Sequence, residues 1–402
     1  MNRRLFLRSS GLVAATLATL PAGNLFSEDK ITLPFSNGDR PLVKYPQKRA
    51  LIRLTSRPPQ LETPFSVFNE GVVTPNDAFF VRYHLSEIPL SIDPEEFRLE
   101  IKGSVESPLT LSLTDLKTKF EPLELMAVCQ CSGNGRGLSQ PRVAGGQLGN
   151  GAMGNAKWKG VRLKDLLDKA GVKSSAKQVA FNGLDNPVSE KIPDYIKALD
   201  LDHARDGEVM LAYEMNGEPL PMLNGFPLRL VVPGYFATYW VKHLSEITVI
   251  DEPLANFWMN PAYRIPDNDC GFVEPGSVPG KTRPITRLNI RSFITNHLDG
   301  DTIKAEEKTS LKGIAFDAGF GIKEVLYSWN NGKNWEPAIL GRDLGKYSFR
   351  EWSTNPFMLR RGKHELKVRA INRVGQTQPL EPLWNPAGYM RNVVETLRVV
   401  SI

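Results

Sequence analysis

Two of the chain's three cysteines stand one residue apart in MAVCQCSGNGRG, residues 126–137, with glycines, Asn134 and Arg136 directly after them. Thiols act as metal ligands, redox pairs or nucleophiles. Cys129 and Cys131 lie too close in sequence to form an unstrained disulfide with each other. Zinc would require three or four ligands, and the five histidines include no H-x-x-x-H pair. A C-x-x-C-H haem attachment and a C-x-x-C dithiol are also missing from the sequence. What remains is a single thiolate, presented where a strand breaks into a loop, for a soft metal centre or for nucleophilic work.

A chain of 402 residues holds two or three domains with a proper core. Hydrophobic residues at 41% and charged residues at 23% are those of a globular protein. The 30 prolines and 33 glycines follow no period, which favours many turns and a β-rich fold. The opening MNRRLFLRSSGLVAATLATLPAG resembles a twin-arginine export signal, which implies a leader over residues 1–27 and a periplasmic location. Its apolar run is too short to cross a bilayer, and no later segment reaches spanning length, so the protein is expected not to span a membrane. Without Arg3, Arg4 and Arg8 the formal charge of +6 becomes +3. The charges are interspersed, so no nucleic-acid partner is expected. An exported disulfide framework carries an even, denser set of cysteines. At least one thiol is therefore free, bound or reactive.

Residues 28–75 show few periodic patterns and predict an extended arm over the surface. Residues 76–275 mix elements. FRLEIKGSV and PLTLSLTDL alternate as half-buried strands do. GVRLKDLLDKAGV predicts a short amphipathic helix with Leu163, Leu166, Leu167 and Ala170 on one face and Gly171 as its stop. Residues 284–402 show recurring short strands with turns between them, and the Asn-Gly of WNNGKNW is a hairpin signal. That texture predicts a separate immunoglobulin-like sandwich, and an α+β class for the whole chain.

CSGNGR at Cys131–Arg136 resembles the cysteine motif of the sulfite oxidase family of molybdenum enzymes. FFVRYH (79–84), FNGLDNP (181–187), LAYEMNGEPLP (211–221), NGFPLRLVVPG (224–234) and YWVKHL (239–244) follow in the family's order. PLWNP near the end is similar to its dimerisation domain. The resemblance spans about Thr74 to the C-terminus. It implies a molybdopterin-binding oxidoreductase domain followed by an immunoglobulin-like dimerisation domain. The cofactor is then molybdenum–molybdopterin, with Cys131 as the protein's sulfur ligand. Cys129 is the rival, although its position suits a buried strand residue. Gly133, Gly135 and Gly137 are expected to let the backbone approach the cofactor closely.

The family positions that hold the cofactor match Phe80, Val81, Arg82, Tyr83, His84, Asp185, Asn224, Arg229, Trp240, Val241 and Lys242. On a strand, Arg82 and His84 share a side. Arg229 and Lys242 suit a phosphate, and Asp185 suits the amino-substituted pterin ring. Many homologues carry His in place of Asn224. Arg82 and Arg136 resemble the family's sulfite-binding arginines, and Tyr263 its active-site tyrosine. Taken singly, each of these has an ordinary alternative as a solvated charge, a turn residue or a structural ring.

The resemblance implies oxygen-atom transfer to sulfite. No b- or c-type haem block is found, so no haem is expected in this chain. The electrons are then expected to pass singly to a separate c-type cytochrome, the protein being a homodimer or a heterodimer with that cytochrome. The alternatives are a sulfane dehydrogenase subunit of a thiosulfate-oxidising complex, a methionine sulfoxide reductase of the same superfamily, and a non-enzymatic exported binding protein.

Overall fold

The computed structural model describes residues 29–402, so the twin-arginine-like segment 1–27 lies outside the described residues. The described residues of the expected arm, 29–75, depart from it. They form an antiparallel ladder of β1 (Lys30–Thr32), β2 (Asp39–Val43), β3 (Leu51–Thr55) and β4 (Gln60–Glu62), which pairs with β5 (Val81–Arg82) through Gln60 and Arg82. Leu51, Ile52 and Leu61 are buried in it. Strands of three to five residues are too short to display an alternation in sequence, which is why the segment reads as unpatterned.

Next come β6 (Arg98–Gly103), β7 (Leu109–Ser112), α1 (Leu113–Lys119), β8 (Pro122–Gln130), β9 (Met153–Arg162) and α2 (Leu163–Ala170). They are followed by β10 (Gln178–Gly183), β11 (Lys197–Asp200), α3 (Leu201–Ala204), β12 (Met210–Met215), β13 (Glu218–Pro219), β14 (Arg229–Val231) and β15 (Leu244–Ile250). One sheet runs β11-β10-β15-β6-β7; the other runs β13-β12-β9-β8, with β14 also on β12. Ser112 and Asp115 form a reciprocal capping box that starts α1. α2 buries Leu163, Leu166, Leu167 and Ala170 and ends at Gly171 with φ of 70°, as its sequence predicts. The β8–β9 ladder carries Cys129 to the end of its sheet, and Cys131 is the first residue beyond β8.

The C-terminal block is a sandwich. One sheet holds Arg291–Ile294, Lys312–Phe316, Arg350–Ser353 and Ile339–Leu340; the other centres on Ile322–Ser328, Gly362–Asn372 and Thr396–Ser401. Leu311, Val325, Trp352, Leu366 and Val399 fill the space between them. The sandwich is not insulated from the first domain. Val128, Met153 and Phe236 share a core with Phe293, Ile314, Phe316 and Phe349. The Val128 amide donates to the Tyr347 carbonyl at 2.9 Å, and Met390 to that of Ser132 at 3.0 Å. Both domains thus brace the cysteine strand.

The N-terminal ladder braces the loop beyond it. The buried Glu62 carboxylate accepts from the Gly149 and Gly151 amides at 2.9 and 2.7 Å. Replacing it (Glu62→Ala) orphans two buried amides and should destabilise the fold by on the order of 3 kcal/mol. Denaturant unfolding reads that loss, and hydrogen exchange should show the two glycine amides losing protection together. Unchanged exchange at both would disprove the clasp.

Candidate functional site

Nine of the expected residues line one pocket. Phe80, Arg82, His84 and Cys131 form part of its wall. Asn224, Arg229, Trp240, Lys242 and Tyr263 supply much of the rest. Strand alternation sets the first group: Arg82 and His84 face the pocket, and Val81 and Tyr83 turn into a core with Leu51 and Leu61. The side chains of Val81, Tyr83 and Val241 are therefore not pocket groups, contrary to expectation. Tyr83 instead bonds His243 Nε2 at 2.6 Å, and Val241 packs in the domain core while its carbonyl accepts from the Leu230 amide.

Both thiols reach the pocket, in different states of burial. Cys129 is 2% exposed and lies 3.9 Å from an Arg229 nitrogen. Burial pushes its thiol up to about 11, with the Arg229 charge opposing. Cys131 is only partly covered. The glycines beside it work differently from the expectation. A Cβ at Gly133 would stand 2.9 Å from the Arg136 guanidinium, at Gly135 2.8 Å from Arg391, and at Gly137 2.6 Å from the Phe35 ring. The missing side chains admit the protein's own residues, which close over the cysteine loop.

Buried cations crowd the pocket. Arg229 is 4% exposed, with its guanidinium 4.9 and 5.7 Å from the Trp158 and Trp240 rings. Its Nε and the hydroxyl of the pocket residue Ser132 are buried without a hydrogen-bond partner. Lys242 donates to the Arg82 carbonyl at 2.8 Å and lies 4.1 Å from the Tyr83 ring. Asp185 does not line the pocket; it sits behind Lys242, its pKa raised by burial and lowered by that ammonium.

On the other wall, His84 stacks on Tyr195 at 3.7 Å and shares a hydrogen bond with the Tyr263 hydroxyl. Burial, then Arg82, Lys242 and Lys197, hold His84 well below the ordinary histidine value, so its ring is neutral. Burial raises Tyr263, which keeps it a phenol. Tyr263 has φ of 57°, a left-handed conformation that a non-glycine residue adopts at some strain. Its carbonyl is held by the Ile285 amide at 3.0 Å.

Arg136 also departs from its expected place. It donates to the Ala387 carbonyl at 2.8 Å and stacks 4.8 Å from the Tyr389 ring, off the pocket wall. Tyr389 in turn stacks on Tyr263 at 5.5 Å, so Arg136 acts from one layer back. Sequence reasoning missed Tyr195, Thr238, Trp258, Lys197 and Lys48. Trp258 stands in the same FWMNPAYR stretch as Tyr263, and Tyr389 closely follows PLWNP. Lys197 and Lys48 carry no local signal.

Among the described residues no three His, Cys, Asp or Glu side chains gather to hold an ion unaided. A thiol beside orphaned donors and excess positive charge fits a metal carried by a large, phosphate-bearing anion. Burial draws Lys48, Lys197 and Lys242 down to about 7, 7 and 8. Between about pH 7 and pH 9 the folded chain then binds fewer protons than the unfolded one, so stability rises with pH. Cofactor-free protein should gain several degrees of Tm across that window, and bound anion should shrink the gain by holding the ammonium groups charged. A Tm that falls from pH 7 to pH 9 without cofactor would contradict this.

Family models match along most of this architecture: the oxidoreductase molybdopterin binding domain over residues 85–258, and the Mo-co oxidoreductase dimerisation domain over 282–400. A mitochondrial sulfite oxidase of Macaca fascicularis is 34% identical over 406 residues, covering 96% of this chain and 72% of its own. The sulfite oxidase of Arabidopsis thaliana is 30% identical over 384 residues, covering 89% of this chain and 96% of its own. The crystal structure of the sulfane dehydrogenase SoxCD from Paracoccus pantotrophus shares the fold, with a TM-score of 0.71 at 24% identity over 97% of this chain and 93% of that one. The chain belongs to the sulfite oxidase family of oxidoreductases, and its cofactor is molybdenum–molybdopterin.

Proposed function

We propose that this protein is a periplasmic sulfite dehydrogenase. It oxidises sulfite with water to sulfate, two protons and two electrons, and passes the electrons singly to a separate c-type cytochrome. The carrying observation is the meeting of Cys131, Arg82 and the His84–Tyr263 pair in one cationic pocket. Sulfite oxidases among the relatives support the choice of substrate, the signal-like residues 1–27 support the location, and the dimerisation domain supports a homodimer.

When bound, the cofactor supplies oxygen-atom transfer and two-electron redox chemistry. The residues of the chain do the rest. Arg82 concentrates and orients a small dianion, and Lys242, Arg229 and the more distant Arg136 add to the attracting field. Neutral His84 adds no charge of its own and, as the Nε2–H tautomer, donates to the Tyr263 oxygen, which leaves the Tyr263 O–H free to donate to a substrate oxygen. Tyr195 and Trp258 pack around the His84 ring and screen it from water.

Purified holoprotein should reduce cytochrome c or ferricyanide with sulfite; turnover with thiosulfate and none with sulfite would replace this reading with sulfane oxidation. Cys131→Ser should abolish turnover while Cys129→Ser retains it; the reverse would exchange the two thiols' roles. Arg82→Gln should raise the sulfite KM by on the order of tenfold, more than it lowers molybdenum content. An unchanged KM removes Arg82 from substrate binding.

A further inference from the structure

Lys48 lies in the N-terminal ladder between β2 and β3, far in sequence from every pocket motif, yet it is 7% exposed and its Nζ bonds to Phe79 and Asn224, two residues that line the pocket. It donates to the Asn76 carbonyl at 2.6 Å, to the Phe79 carbonyl at 3.1 Å and to the Asn224 side-chain oxygen. Even as an ammonium the side chain has only three N–H groups, and three acceptors already face it, so in neither protonation state is one spare. Lys48 therefore has no donor left for a ligand, and anything it does for the pocket passes through its partners.

Asn224 is the partner that lines the pocket. Its backbone carbonyl accepts from Arg229 at 2.9 Å, and its amide nitrogen donates to the Phe80 carbonyl at 3.1 Å. A carboxamide has two possible orientations, and its neighbours choose between them. With Lys48 taking the oxygen, the NH2 end is fixed as the outward group, and one of its two N–H bonds remains available. Turned the other way, the amide would set its NH2 against an ammonium and leave a carbonyl facing outward.

We propose that Lys48 is a positioning residue for the molybdopterin cofactor, locking Asn224 so that it presents a donor to that anionic ligand. The N-terminal ladder then takes part in cofactor retention through one side chain. Nothing in this depends on sulfite being the substrate.

The test uses the full chain, prepared with cofactor and, from a host unable to make it, without. Molybdenum per chain and released pterin fluorescence are followed during incubation. Lys48→Met should shorten cofactor retention by about tenfold or more, and Lys48→Arg should restore much of it. Asn224→Asp keeps a partner for Lys48 but has no amide donor for the ligand or for the Phe80 carbonyl; it should lose the cofactor by more than its fall in cofactor-free Tm accounts for. Adding Asn224→Ala to Lys48→Met should cause little further loss, because both act through one contact. Wild-type retention in Lys48→Met or in Asn224→Asp overturns the proposal. So do fully multiplicative losses in the double variant, and a Lys48→Met loss matched by an equal fall in cofactor-free Tm.

Discussion

Placing Arg229, Lys242, Lys197 and Lys48 inside the protein is the constraint around which the rest is arranged. A desolvated cation is unfavourable unless paired, and the acid facing Lys242, Asp185, is itself buried enough to be raised in pKa. The fold partly offsets this with carbonyls and ring faces. Lys197 donates to the Trp258 carbonyl at 2.6 Å and lies 4.8 Å from the Tyr239 ring, while Arg229 sits between two indoles. These neutral partners position the charges without neutralising them, so an attraction for anions is left over. A cofactor with a phosphate draws on that surplus, as would the dianionic substrate proposed above.

Keeping such a pocket in shape takes three separate parts of the chain. The central sheets carry Cys129 and Arg229 and deliver Cys131 at a strand end. The sandwich packs behind that strand and sends Tyr389 against Tyr263. The N-terminal ladder closes from the other side, with Phe35 over Gly137, Glu62 on two loop amides and Lys48 on Asn224. The central sheets and the sandwich each fill a core and share another across their junction, and the ladder packs Leu51 and Leu61 against Val81 and Tyr83. The geometry at the thiol thus rests on joined cores and not on the stiffness of one loop.

The sequence by itself determined the elements with a local signature. α2 is legible because four apolar residues recur at helical spacing and a glycine follows, and the strands of the sandwich because short apolar runs alternate with turns. Cys131, Arg82, His84, Arg229 and Lys242 could be named from motifs whose order survives in a linear string. Tertiary structure decided what depends on residues remote in sequence. Cys129 differs from Cys131 because Arg229 and the sheet bury it, and Arg136 leaves the pocket wall because Ala387 and Tyr389, some 250 residues later, offer it a carbonyl and a ring. Gly133, Gly135 and Gly137 look like room for a cofactor until Arg136, Arg391 and Phe35 are seen to need that space. Lys48 is one lysine among many until folding removes its water and sets Asn224 beside it. Periodicity and spacing record local geometry, whereas burial and charge pairing arise only when distant segments meet.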